Sequence, residues 1–81
     1  MGDDKALRAQ VLDALTEVAP DLEAHRLEPE ISFRDQYEFD SVDFLNFIMT
    51  LERRLGTHIP EPDYPRLSSL DGAVNYLRER S

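Results

Sequence analysis

The stretch DSVDFLNFIMTLERRLG, residues Asp40 to Gly56, is the most regular part of the chain and decides how the rest is read. Val42, Leu45, Ile48, Met49 and Leu55 recur at the steps of an amphipathic helix, Asp40 is a good N-cap, and Gly56 is the expected C-terminal stop. A helix from about Ser41 to Leu55 is predicted. Toward the N-terminus, Pro20 to Phe39 carries Leu22, Leu27, Ile31, Phe33, Tyr37 and Phe39 with no sustained period and with Pro29 interrupting. This predicts a long loop pinned by its large apolar side chains, and loops of that length are usually functional.

Before the loop, Leu7, Val11, Leu12, Leu15 and Val18 mark a first helix from about Asp4 to Ala19, capped by Asp3 or Asp4 and ended by Pro20. After Gly56, Pro60, Pro62 and Pro65 break the chain around Ile59 and Tyr64 and leave room for one helical turn at most. Ser68 followed by Asp71 has the spacing of a capping box, and Leu70, Ala73, Val74 and Leu77 predict a last helix from about Ser69 to Arg80. Gly72 inside that helix costs roughly 1 kcal/mol relative to Ala, a cost that close approach of another backbone would explain. The expected fold is all-α: one domain over residues 1–81, a small four-helix bundle with a long loop between helices one and two and a short third helix.

Composition narrows the function. A chain of 81 residues buries only about 60% of its unfolded surface, too little for a roomy internal active site. There is no Cys, which excludes disulfides, thiolate metal sites and a cysteine nucleophile, and which suits a reducing cytoplasm. Seventeen acidic against nine basic residues give a net charge of −8, which repels nucleic acid and anionic lipid, favours a soluble monomer and steers the chain toward basic patches on other proteins. No apolar run reaches the length of a membrane span.

The chemistry gathers at Asp40-Ser41-Val42, where a hydroxyl stands at the junction of the long loop and a helix N-terminus. A phosphodiester on Ser41 would face unpaired backbone N–H groups and the positive end of the helix dipole, worth roughly 0.3–1 kcal/mol. The plainer reading makes Asp40 and Ser41 a cap and nothing else.

The segment Ser32-Phe33-Arg34-Asp35-Gln36-Tyr37-Glu38-Phe39-Asp40-Ser41-Val42-Asp43 resembles the modification segment of bacterial acyl carrier proteins. The resemblance continues through Met49, Leu51-Glu52, Ile59-Pro60, Ser68-Ser69 and Ala73 to Leu77. It implies a free-standing carrier, not an enzyme, to which a phosphopantetheinyl transferase using Mg²⁺ attaches 4′-phosphopantetheine from coenzyme A at Ser41. Acyl groups would then ride as thioesters on the arm's thiol and be delivered to acyl-transferring, condensing or acyl-activating enzymes. Asp40 would cap the helix and serve the motif. Val42, Asp43, Glu52, Arg53 and Arg54 would meet partner enzymes, and Phe44, Phe47 and Ile48 are candidates for an acyl pocket.

Several residues depart from the family pattern. Val42 replaces the usual Leu, Glu38 stands where Gly is common, and Phe39 where a small residue is common. Arg53 and Arg54 reverse the charge at the end of the docking helix, which implies a dedicated pathway for a specialised lipid or secondary metabolite. Rival readings are an aminoacyl or peptidyl carrier, and an interaction module that keeps the fold with Ser41 unmodified. An enzyme using His25 or His58 lacks catalytic spacing, and a calcium loop at Asp35, Asp40 and Asp43 lacks the EF-hand pattern; no metal is expected.

Overall fold

The computed structural model describes residues 2–80. It is helical throughout the regular elements: α1 (Gly2–Val18), α2 (Phe33–Gln36), α3 (Ser41–Leu55) and α4 (Leu70–Arg80), with a 3₁₀ turn at Ala24–Arg26 and a 3₁₀ helix at Glu61–Leu67. α1 packs against both α3 and α4, and the 3₁₀ helix packs against α4. The result is the expected small helical bundle, about 30 × 27 × 19 Å.

The apolar face of α1 was legible from its period: Val11 and Leu15 are fully buried with Ala14 between them, and Leu7, Leu12 and Val18 pack at the margin. The helix starts earlier than expected, at Gly2. Asp4 therefore lies inside its first turn and pairs with Arg78 of α4 at 2.6 Å instead of capping. The Asp3 side chain lies outside the described residues.

The segment from Pro20 to Phe39 is pinned as expected, with Leu22, Leu27, Phe33 and Phe39 buried, yet it holds more structure than a loop. α2 forms because Ser32 accepts from the Asp35 N–H, a local cap that no apolar period announces. The Gln36 amide then staples the segment, accepting from the Glu28 N–H and donating to the carbonyls of Glu28 and Ile31, each at 2.9 Å. Two backbone bonds tie this segment to the far side of the bundle: Phe33 N–H to the Ser68 carbonyl at 2.8 Å, and Asp71 N–H to the Pro29 carbonyl at 3.0 Å.

The proline-rich connection also exceeds the single turn expected. Glu61–Leu67 is a seven-residue 3₁₀ helix, with Pro62 near its start, where no N–H is needed, and Pro65 inside it. The Ser68–Asp71 capping box does not form. Ser69 accepts from the Gly72 N–H at 3.1 Å, while the Ser68 hydroxyl donates to the Pro65 carbonyl. α4 accordingly begins at Leu70.

Gly72 sits against backbone, as its place inside a helix suggested. A Cβ there would fall far inside contact distance of the Arg66 carbonyl oxygen and 3.1 Å from Ser69 Oγ. Helix propensity favours Ala by about 1 kcal/mol, but overpacking against rigid backbone costs about 1–3 kcal/mol, so the clash wins. Gly72→Ala is expected to lower the melting temperature, and a rise in a circular-dichroism melt would refute the close approach.

Tyr76 locks the 3₁₀ helix to α4. Its hydroxyl donates to Asp63 at 2.7 Å and accepts from Arg80 at 2.9 Å, while the guanidinium carbons of Arg66 and Arg80 lie 5.1 and 5.2 Å from the ring centroid. Burial, then the bond to Asp63, raises the phenol above its ordinary pKa. A raised folded value means the stabilisation is complete below the unfolded phenol's pKa of about 10 and is lost as pH rises through the folded value. Tyr76→Phe is expected to melt lower at neutral pH, by the loss of these bonds, and to show a shallower decline between pH 9 and 11 than the unmodified chain. Parallel alkaline limbs would show that the phenol plays no part.

Candidate functional site

Asp40 adopts an extended conformation (φ −87°, ψ −176°) and caps α3. The Asp43 N–H donates to its Oδ1 at 2.9 Å, and the Asp40 N–H donates to Asp43 Oδ2 at 3.4 Å, which completes a capping box. Both carboxylates are thus engaged with backbone. Ser41, the first residue of α3, is exposed, and its hydroxyl makes no hydrogen bond among the described residues. The cap and the free hydroxyl belong to different residues. The N–H groups of Ser41 and Val42 have no partner among the described residues either, so the positive end of the helix dipole opens beside the hydroxyl. Glu38 needs no left-handed turn: among the described residues only Gly56 has positive φ, at +63°.

A cleft of about 410 Å³ opens beside Ser41. Its lining comes from α3 (Ser41, Phe44, Leu45), from the 3₁₀ helix and the residue after it (Tyr64, Pro65, Ser68), and from the segment before α3 (Phe33, Arg34, Phe39). Phe44 therefore lines a cavity, as a pocket residue must. Phe47 and Ile48, the other two candidates, do not line it. Both are fully buried behind it, with Phe47 against Phe33, Phe39 and Phe44 at centroid separations of 5.4, 6.4 and 6.4 Å.

The residues expected to meet partners separate into two groups. Val42 is 64% exposed, and the Arg53 side chain is 71% exposed, 3.6 Å from Glu17. The others serve the fold. Glu52 accepts from the Ile59 N–H at 2.7 Å and lies 3.0 Å from His58 Nδ1, holding the turn after α3. Arg54 reaches back to α1, donating to Glu17 at 2.7 Å and to Asp13 and Gln10 at 3.2 Å each. Its charge is spent between helices. The stripe expected along this helix divides: Ile48 is fully buried, while Leu45 (46% exposed) and Met49 (60%) face outward with Val42. A signal was present: α3 carries more apolar residues than one face can bury, and 42, 45 and 49 form a second stripe. Arg34, Tyr64 and Ser68 had no such signal, because only the packing of α2 and the 3₁₀ helix brings them to Ser41.

A sequence profile described as the phosphopantetheine attachment site matches residues 8–77, most of the chain.

This chain belongs to the acyl carrier protein family.

The acyl carrier protein of Rubrobacter xylanophilus is 32% identical over 75 residues, covering 89% of this chain and 93% of that protein. That of Myxococcus xanthus is 25% identical over 75 residues, covering 89% and 95%. The solved structure of the acyl carrier protein from Enterococcus faecalis superposes with a TM-score of 0.67 at 26% identity, over 89% of this chain and 99% of that one. The carrier's cofactor is phosphopantetheine, which supplies the thiol that the sequence lacks. The residues at the head of α3 fit such a group: a free hydroxyl to esterify, open N–H groups for the phosphate, and an apolar cleft alongside. As a member of this family it is a carrier and not an enzyme, working with a phosphopantetheinyl transferase and acyl-handling enzymes. Among the described residues no helix is long and apolar enough to cross a membrane.

Proposed function

We propose that Ser41 carries the phosphopantetheine arm and that the loaded carrier delivers acyl thioesters within a specialised lipid or secondary-metabolite pathway. The observation that carries the assignment is the free, exposed Ser41 hydroxyl beside a cap already supplied by Asp40. In loading, the Ser41 oxygen forms the phosphodiester, its proton passes to the transferase, and adenosine 3′,5′-bisphosphate leaves as the other half of coenzyme A. Asp40 fixes the position of the serine by holding the first turn, and the open N–H groups of Ser41 and Val42 face the phosphate.

Partners dock on the outward stripe of α3, Val42, Leu45 and Met49, with Arg53 at its far end. That stripe starts one residue from the attachment point, so an enzyme that receives the arm covers it. The two acids of α3 are both held by backbone N–H groups, which leaves the apolar side chains and Arg53 to distinguish partners. The exposed Arg53 supports a dedicated set of enzymes. Intact mass after incubation with coenzyme A, Mg²⁺ and a broad-specificity transferase tests the reading: one added arm is expected, and an unchanged mass would defeat it.

A further inference from the structure

Four aromatic rings, those of Phe33, Phe39, Phe44 and Tyr64, dominate the cleft beside Ser41, against only Leu45 and Pro65 among its other apolar residues. Phe44 and Tyr64 are in edge-to-face contact, their centroids 6.2 Å apart, and form one continuous aromatic part of its lining. The segment before α3 adds Phe33 and Phe39, 5.5 Å apart at 62°, backed by Phe47, which stands edge-on to both. These three rings are at most 4% exposed, and Ile48 and Leu51 behind them are fully buried. The cleft is therefore a ring-lined recess with a sealed floor. A straight chain and a planar ring both have room there, and the two differ in what the aromatic lining returns. A planar group meets ring faces and edges at once.

We propose that this cleft receives an aromatic acyl group carried on the arm, in preference to a straight alkyl chain. The inference rests on Ser41 as the attachment point and names the class of cargo. Size is ample, since an apolar cavity of about 150 Å³ holds benzene and this cleft has about 410 Å³. Edge-to-face and offset contacts with Phe44 and Tyr64 reward a ring beyond its apolar area. Arg34 is the one charged side chain in the lining and pairs with no carboxylate among the described residues, so its guanidinium is free to stack on an aromatic face. Phe39, packed edge-on to Phe33 and 4% exposed, is part of the ring cluster that closes the cleft off from the interior.

The test loads the full chain with a broad-specificity transferase, using coenzyme A thioesters of benzoic and of octanoic acid, and confirms each product by intact mass. The benzoyl carrier is expected to melt about 4 °C above the octanoyl carrier, the scale of one good contact in a domain this small, and its ring should shift the Phe44 and Tyr64 aromatic proton resonances. Phe44→Leu and Tyr64→Leu keep the cleft apolar and remove a ring each; both should close the gap between the two cargoes. An octanoyl carrier as stable as the benzoyl one, Phe44 and Tyr64 resonances unmoved by the benzoyl group, or a gap that survives both leucine variants would overturn the proposal. Failure of either thioester or free coenzyme A to load would instead remove the Ser41 assignment beneath it.

Discussion

Ser41→Ala is expected to remain at its polypeptide mass after incubation with coenzyme A, Mg²⁺ and a broad-specificity transferase, while melting almost as the unmodified chain does. The two halves of this expectation come from one geometric fact: the hydroxyl at residue 41 holds nothing in the fold. Surface substitutions away from structural features stay within about 0.5 kcal/mol, and Ala is the better helix former. Asp40→Ala should behave in the opposite way. It removes the side chain that accepts the Asp43 N–H and is expected to cost about 0.5–2 kcal/mol in a denaturant melt, with the loading hydroxyl still present. If Ser41→Ala were the more destabilising of the two, the hydroxyl would be a cap after all and the assignment of the arm to Ser41 would lose its ground.

Phe47→Ala is expected to lose about 3–5 kcal/mol, the usual cost of emptying a fully buried aromatic site. A chain of this length has a total stability of about 4–12 kcal/mol, so the variant should be largely unfolded or close to it. The loss is large because Phe47 joins the bundle core to the segment before α3, through edge contacts with Phe33 and Phe39. Removing it leaves a void that three rigid neighbours cannot collapse into. Met49→Ala, two residues on and 60% exposed, should stay within about 0.5 kcal/mol. Urea titrations of the pair would decide the matter, and a loss under about 1 kcal/mol at Phe47 would show that these rings are not the packed centre.

That contrast marks where reading the chain alone reached its limit. Along α3 both apolar stripes have helical spacing, and spacing carries no information about which side another helix will cover. Val42, Leu45, Ile48, Met49 and Leu55 therefore read as one stripe, whereas packing buries Ile48, together with Phe47 from outside that stripe, and leaves Val42, Leu45 and Met49 exposed. The same holds for charge. Arg54 and Glu52 read as surface charges for a partner until α1 and the turn after α3 arrive beside them.

Local chemistry was legible because it depends on near neighbours only. The Asp40 cap, the Gly56 stop with its left-handed backbone, the burial of Val11 and Leu15, and the place of Ser41 at the head of a helix all follow from residues within one or two turns. The Gly72 contact was legible as a cost needing compensation, though not which carbonyl supplied it. The order of the helices and the position of the serine were thus determined by the sequence itself. The cleft beside that serine, the seal of rings behind it and the identity of the exposed stripe were decided only by tertiary structure, since each depends on surfaces distant in sequence meeting across the bundle, and close packing permits one side of each helix, not both, to leave water.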